Sequence, residues 1–321
     1  MPELYRKMAG FRDNPILLIL YYLHEMTILI TGANGFLGYY LTQQLLQNKH
    51  QVVATGKGEC RLPYLDHPNF TYAVMDITDP FSVHDVFTLH KPEVVVHGAA
   101  MSKPDDCEQN QMQAYMVNVE GTVTTMLNAA EHKSFLVFVS TDFVFDGSTG
   151  MYSEDDLPNP VNYYGKTKLE AEEAVREYES EWAIVRTIMV YGTPVLSRSN
   201  ILSIVKEKLE RGETYKVVDD QVRTPTYVED LAAAIVRIIE NRATGIYHIS
   251  GTDVLTPFEM ACKTADLLNL DKSKIIRVKS SDFANAAMRP PVTGFNIEKA
   301  KTRLGFQPLS FTEGIRQMFQ K

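Results

Sequence analysis

A chain of 321 residues with 45% hydrophobic and 22% charged side chains has the make-up of an ordinary globule, with room for one large α/β domain and a smaller companion. Its formal net charge of −8 argues against a nucleic-acid surface, which needs a clustered basic face. Cys60, Cys107 and Cys262 are too few and too scattered for a disulfide framework or a zinc site, so no metal is expected and reduced thiols point to a cytoplasmic protein.

The first residues do not match the rest. Pro15 to Leu23 is an apolar run with Lys7 and Arg12 upstream. It is well short of the roughly 20 residues that span a bilayer as a helix. Leu23-His24-Glu25-Met26 lacks the small residues of a signal-peptide cleavage site. The expectation is therefore either that Met26 is the natural start or that residues 1–25 are an appendage outside the fold, with no membrane association.

From Met26 the pattern becomes regular. An apolar strand, Met26 to Ile30, runs into Thr31-Gly32-Ala33-Asn34-Gly35-Phe36-Leu37-Gly38. A strand that turns through glycines into a helix is the phosphate-binding start of a dinucleotide fold. Gly32 suits the tight turn, Gly35 lets the main chain approach a pyrophosphate, and Gly38 lets the helix pack on the strand. Leu37, Leu41, Leu45 and Leu46 recur at helical spacing, which predicts a helix over Phe36 to Lys49. Strands follow at Gln51 to Thr55 and Phe70 to Val74, and Asp79-Pro80 opens a helix. Val94 to His97 reads as a buried parallel strand, Asn118 to Ala130 as a helix and Phe135 to Val139 as a fifth strand. A helix over Tyr163 to Tyr178 and a strand over Ala183 to Thr187 complete the series. Strands alternating with helices in this way predict an α/β fold with a doubly wound parallel sheet over 26–186.

Beyond Arg186 the rhythm loosens. Helices are expected at Asn200 to Arg211 and Val228 to Asn241, separated by a turn at Thr224-Pro225-Thr226. A strand at Tyr247 to Ile249, a helix at Pro257 to Leu268 and closing helices at Glu298 and Phe311 follow. Residues 187–224 and 251–321 are expected to form a smaller substrate-binding domain, with 225–250 returning to the first.

Ser140-Thr141-Asp142 ends the fifth strand, at the edge where such sheets bind ligands. Tyr164 and Lys168, at i and i+4, project from one face of the next helix. Tyr164 is the only tyrosine in the chain with a lysine four residues on. The trio suits hydride transfer to a ketone. A phenol can protonate the developing alkoxide if its pKa is brought down towards working pH. A neighbouring Lys⁺ would favour the phenolate, and Thr141 would hydrogen-bond the carbonyl oxygen.

These residues resemble those of the extended short-chain dehydrogenases/reductases (a Rossmann fold), and within them the dTDP-4-dehydrorhamnose reductases. The loop TGANGFLG, the run Ser140-Thr141-Asp142-Phe143-Val144-Phe145-Asp146-Gly147 and the segment Asn162-Tyr163-Tyr164-Gly165-Lys166-Thr167-Lys168-Leu169 carry the resemblance. Weaker echoes are His97-Gly98-Ala99-Ala100, Val117-Asn118, Arg186-Thr187 and Arg289-Pro290. The resemblance implies Thr141, Tyr164 and Lys168 as catalytic residues. It implies Gly32, Asn34, Gly35, Phe36, Leu37, Gly38 and Ser140 at the cofactor, Asp76 and Ile77 at its adenine, Ala99 and Ala100 beside it, and Asn118 supporting the site. Ser102, Phe143 and Met189 depart from the rhamnose pattern on the side that faces the sugar, where Arg289 is also placed.

At the end of the second strand the chain offers Gly56-Lys57-Gly58, with Arg61 close behind, where an NAD enzyme carries an acid for the ribose hydroxyls. Lys57 therefore favours NADP(H) over NAD(H). The expected activity is NADPH-dependent reduction of a nucleotide-diphospho-4-keto-6-deoxysugar. The competing readings are an NAD-retaining epimerase or dehydratase and a non-catalytic cofactor-binding regulatory subunit. Expected partners are the nucleotide sugar and at most a second copy of the chain, as a homodimer.

Overall fold

The computed structural model describes residues 25–196, 199–283 and 287–319. The apolar run at residues 15–23, and the reading of it as an appendage, lie outside them. Seven parallel strands form the central sheet: β1 (Thr27–Thr31), β2 (Gln51–Gly56), β3 (Phe70–Val74), β4 (Val94–His97), β5 (Phe135–Thr141), β6 (Trp182–Thr187) and β10 (Gly245–Ile249). Their order is β10-β6-β5-β4-β1-β2-β3, and Ile28 of β1 sits between Val52 of β2 and Val94 of β4. The order reverses beside β1, so a crevice opens at the carboxyl ends of β1 and β4.

The inner strands β1, β4 and β5 read as near-continuous apolar runs because both their faces are covered. Ile28, Ile30, Val94, Val96, Phe135 and Val137 point into one core layer with α1 (Phe36–Gln47) and α8 (Val228–Glu240). Leu29, Val95, Leu136 and Phe138, one step out of phase, point into the other with α2 (Pro80–His90), α5 (Gly121–Glu131) and α6 (Tyr163–Arg176). The period of two in a strand sends alternate residues to opposite faces. Each fully buried aliphatic side chain contributes roughly 1.5–3 kcal/mol. Helix starts follow local chemistry: Asp79 accepts from Phe81 N ahead of Pro80, and Asn162 accepts from Gly165 N at the start of α6.

Several elements differ from the sequence expectation. The helix expected from Asn118 is α-helical only from Gly121, and Met116–Glu120 forms a π-helical turn that carries Asn118. Two short helices, α3 (Pro104–Gln109) and α4 (Gln111–Tyr115), occupy a stretch with no regular periodicity. Two small parallel pairs were also not expected: β7 (Val190–Tyr191) with β9 (Thr226–Tyr227), and β8 (Tyr215–Val218) with β11 (Ile275–Val278). The turn expected at Thr224-Pro225-Thr226 thus leads straight into a strand. Around β8 and β11, helices α7 (Ile201–Glu210), α9 (Pro257–Leu267) and α11 (Phe311–Phe319) bury two further apolar clusters. Helix α10 (Glu298–Leu304) returns to the main core through Ala300 and Leu304. Among the described residues no helix is long and apolar enough to cross a membrane.

Candidate functional site

A cleft of about 860 Å³ opens at the carboxyl ends of β1, β4 and β5. Its floor is main chain. Gly32 has φ +71°, and a Cβ there would lie 2.9 Å from Ala99 Cα and N. A Cβ on Gly38 would lie 2.6 Å from Ala33 Cα and O, so α1 can pack against the turn only with glycine in place. Phe36, Leu37 and Gly38 line the cleft at the start of α1, whose N-cap Gly35 supplies no side-chain acceptor. The first N–H groups of α1 and its positive dipole end are thereby left to an anion.

Asn34 lines the cleft but spends its side chain elsewhere. Its Nδ2 donates to Glu59 O at 3.0 Å and to Tyr72 Oη at 2.9 Å, and its Oδ1 accepts from Arg61 N at 3.0 Å. It pins the loop after β2, and Arg61 Nη2 donates back to Asn34 O at 3.1 Å. Lys57 and Ile77 line this end, whereas Asp76 does not. Instead Asp76 pairs with Lys57 at 2.8 Å. Burial pushes its carboxyl up, but hydrogen bonds from Lys57 and Thr78 together hold it below the usual carboxylate range. Lys57 is thus already engaged, whereas Arg61, the other cation at this end of the cleft, has no carboxylate partner among the described residues.

At the other end Ser140, Thr141, Phe143, Tyr164 and Lys168 converge, with Ala99, Ala100, Ser102 and Met189 around them. Ser140 Oγ is buried and has no hydrogen-bond partner among the described residues. Thr141 Oγ1 donates to Asp142 Oδ1 at 3.1 Å and accepts from Phe143 N at 3.2 Å. In this arrangement its proton is directed to Asp142, not to a carbonyl as the sequence suggested. Asp142 is itself buried; it accepts from Thr293 Oγ1 and faces Arg223 Nε at 3.7 Å.

Tyr164 lies edge-on to Phe143 at 5.7 Å. Burial pushes its phenol far above the usual tyrosine range, opposed by the Thr141 hydroxyl. The expected lowering by Lys168 does not occur, because the ammonium is aimed elsewhere. Lys168 Nζ donates to Val139 O at 2.8 Å and sits 3.8 Å from the Phe138 ring centroid. Burial pulls Lys168 down to about 7, with Glu172 opposing. From about pH 7 to about pH 10 the unfolded chain holds the extra proton, so this group adds stability as pH rises and costs stability below pH 7. Lys168→Met is expected to flatten that slope, read as the difference in Tm between wild type and variant across the interval. A parallel pair of curves would contradict it.

Two further residues are braces outside the cleft wall. Asn118 Oδ1 accepts from Met101 N at 2.8 Å, and its Nδ2 donates to Met101 O and to Thr167 Oγ1. Arg289, expected on the sugar side, clamps Asp105 of α3 through both guanidinium branches at 2.6 and 2.5 Å. The planar fork matches the carboxylate, and Nη1 also donates to Ala287 O at 2.7 Å. The sequence reading did not place Met101, Pro104 and Gln113, which line the cleft together with Val117. Met101 lies in the loop before α3, Pro104 on α3 and Gln113 on α4, where no period or motif marks them.

A sequence profile described as RmlD substrate binding domain matches residues 26–321. The chain belongs to that family. Methionine adenosyltransferase 2 subunit beta of Xenopus tropicalis is 34% identical over 296 residues, covering 90% of this chain and 86% of that one. The spore coat polysaccharide biosynthesis protein SpsK of Bacillus subtilis is 32% identical over 295 residues, covering 92% and 97%. Among solved structures, dTDP-4-dehydrorhamnose reductase of Bacillus anthracis, in complex with NADP, superposes with a TM-score of 0.81 at 30% identity, covering 92% of this chain and 99% of that one. The RmlD family, an extended short-chain dehydrogenase/reductase type, accounts for the seven-stranded parallel sheet and for the glycine turn at its switch point.

Proposed function

We propose that this chain is an NADPH-dependent reductase of a nucleotide-diphospho-4-keto-6-deoxysugar. The observation that carries the reading is the meeting of Thr141, Tyr164 and Lys168 beside an unpartnered buried Ser140 hydroxyl, at one end of a glycine-floored cleft. A nicotinamide dinucleotide fits the residues present. Gly32 and Gly38 leave room where any Cβ would collide, and the start of α1 offers uncapped N–H groups to a pyrophosphate. The cofactor supplies a hydride. Gly32, Gly35, Phe36, Leu37 and Gly38 would hold its phosphates, Ile77 its adenine and Ser140 its nicotinamide end. Residues 187–224 and 251–321 would supply the outer wall of the sugar site, Met189 included, and three free thiols suit a cytoplasmic setting.

In the reduction the C4 carbonyl gains hydrogen at carbon and a proton at oxygen. Tyr164 gives the proton, breaking its O–H bond. Burial keeps the phenol in the protonated form that this direction needs. Thr141, held by Asp142, orients the phenol. Lys168 holds its ammonium on Val139 O at the same end of the cleft.

Arg61 is assigned the ribose 2′-phosphate, with Lys57 as its neighbour. Arg61→Ala is expected to weaken NADPH binding about thirtyfold by removing a charge-assisted contact. NADH affinity should change less than threefold, as measured by calorimetry; equal losses for both would reject the assignment.

The reductase reading is tested with NADPH and dTDP-4-dehydrorhamnose, followed by the loss of NADPH absorbance. No turnover on any nucleotide-linked 4-ketosugar would reject it. The identity to methionine adenosyltransferase 2 subunit beta favours a second reading, a cofactor-binding subunit without turnover. NADPH binding without reduction, together with co-purification of a larger enzyme, would support that one.

A further inference from the structure

Beneath the cleft runs a line of buried hydrogen bonds in which every proton has one place to go. Thr31 Oγ1, at the end of β1, accepts from Gly98 N and from Ala99 N, both at 3.1 Å. Both its acceptor positions are then taken, so its own proton goes to His97 Nδ1 at 2.9 Å. With Nδ1 accepting, His97 carries its proton on Nε2 and donates it to Thr122 Oγ1 at 3.1 Å. Thr122 passes its proton to Asn118 O at 2.7 Å. Asn118 in turn donates to Thr167 Oγ1 at 3.0 Å, and Thr167 donates to Tyr164 O at 2.9 Å. The line joins the glycine turn to the backbone of the residue that holds the phenol.

We infer that His97, as the neutral Nε2–H tautomer, is a positioning residue that locks the Gly98–Ala99 floor of the dinucleotide site to Thr31 and to the Asn118 brace under α6. Three observations require the lock. The floor touches the turn with no slack, since Gly32 meets Ala99 at 2.9 Å from its missing Cβ. His97 is 1% exposed and Thr31 1%, so a lost partner is not replaced by water. His97 also lies flat against Phe138, with 14° between the rings, and Phe138 carries the Lys168 ammonium, so a turn of the imidazole would disturb both. Burial, with Lys168 adding to it, pushes the imidazole down to about 3, consistent with a ring that stays neutral.

The inference builds on the dinucleotide reading and has a readout independent of activity. Protein labelled with 15N-histidine is examined by long-range proton–nitrogen correlation at neutral pH. The His97 signals are identified from the His97→Gln spectrum or, if that variant does not fold, from backbone assignment. The expected pattern is a bare Nδ1 and a protonated Nε2. Thr31→Val, which removes the hydroxyl at constant shape, is expected to abolish the single tautomer and to weaken NADPH binding about tenfold. Thr31→Ser is expected to restore both, which a general packing role would not. Should Thr31→Val fail to fold, Thr122→Val cuts the same line on its far side and takes its place. A protonated Nδ1, an imidazolium, or NADPH affinity unchanged when the line is cut overturns the inference. If NADPH binds and responds to Thr31 as stated while no ketosugar is reduced, the positioning role stands and only the reductase reading falls.

Discussion

Tyr164→Phe is expected to lower kcat for ketosugar reduction by about 10²–10⁴-fold, the usual worth of a positioned general acid. The variant removes one oxygen from a side chain that is already 9% exposed and packed edge-on to Phe143. Folding and NADPH affinity should therefore stay within threefold of wild type. Steady-state kinetics and calorimetry on the same preparation check both halves. A variant that keeps more than a tenth of the wild-type kcat would mean that the proton comes from elsewhere. Thr141 cannot supply it in this arrangement, because its hydroxyl already donates to Asp142.

Arg223→Met is expected to cost about 3–5 kcal/mol of stability at pH 7, the typical loss when one partner of a buried ion pair is removed. Arg223 is 2% exposed and faces Asp142, and it also satisfies the carbonyls of Val222, Pro290 and Pro291. Burial already holds Asp142 above the usual carboxylate range, against the pull of Arg223 and Thr293. The folded state thus keeps the Asp142 proton to higher pH than the unfolded chain, so this group's contribution to stability falls as pH rises through that interval. Without Arg223 the folded value climbs further and the interval widens. The deficit of the variant should accordingly be smaller near pH 5 than near pH 7, as read by urea denaturation. Combining it with Asp142→Asn should recover most of the loss. An equal deficit at both pH values, with simple additivity in the pair, would show that Arg223 acts through packing alone.

The Asp142–Arg223 pair illustrates why part of the site was not legible beforehand. Asp142 stood inside a recognisable run, but Arg223 carries no motif and reaches Asp142 only because the chain folds back through β9. Lys57 is a similar case. A cation after β2 was visible, whereas its capture by Asp76 depends on the lateral pairing of β2 with β3. Arg289 was placed on the sugar side because it follows the family pattern, yet Asp105 on an unmarked short helix binds it first.

Local chemistry by itself was enough to determine the alternating strands and helices, the glycine turn and the i,i+4 pair of Tyr164 and Lys168. Each depends on backbone freedom or on a period within one element, and both are written in neighbouring residues. Tertiary structure alone decided where charges and protons rest. It committed the Thr141 hydroxyl to Asp142, aimed Lys168 at Val139 and set His97 between Thr31 and Thr122. Those choices depend on burial and on which donor meets which acceptor across elements far apart in the chain, and no spacing in the sequence encodes them.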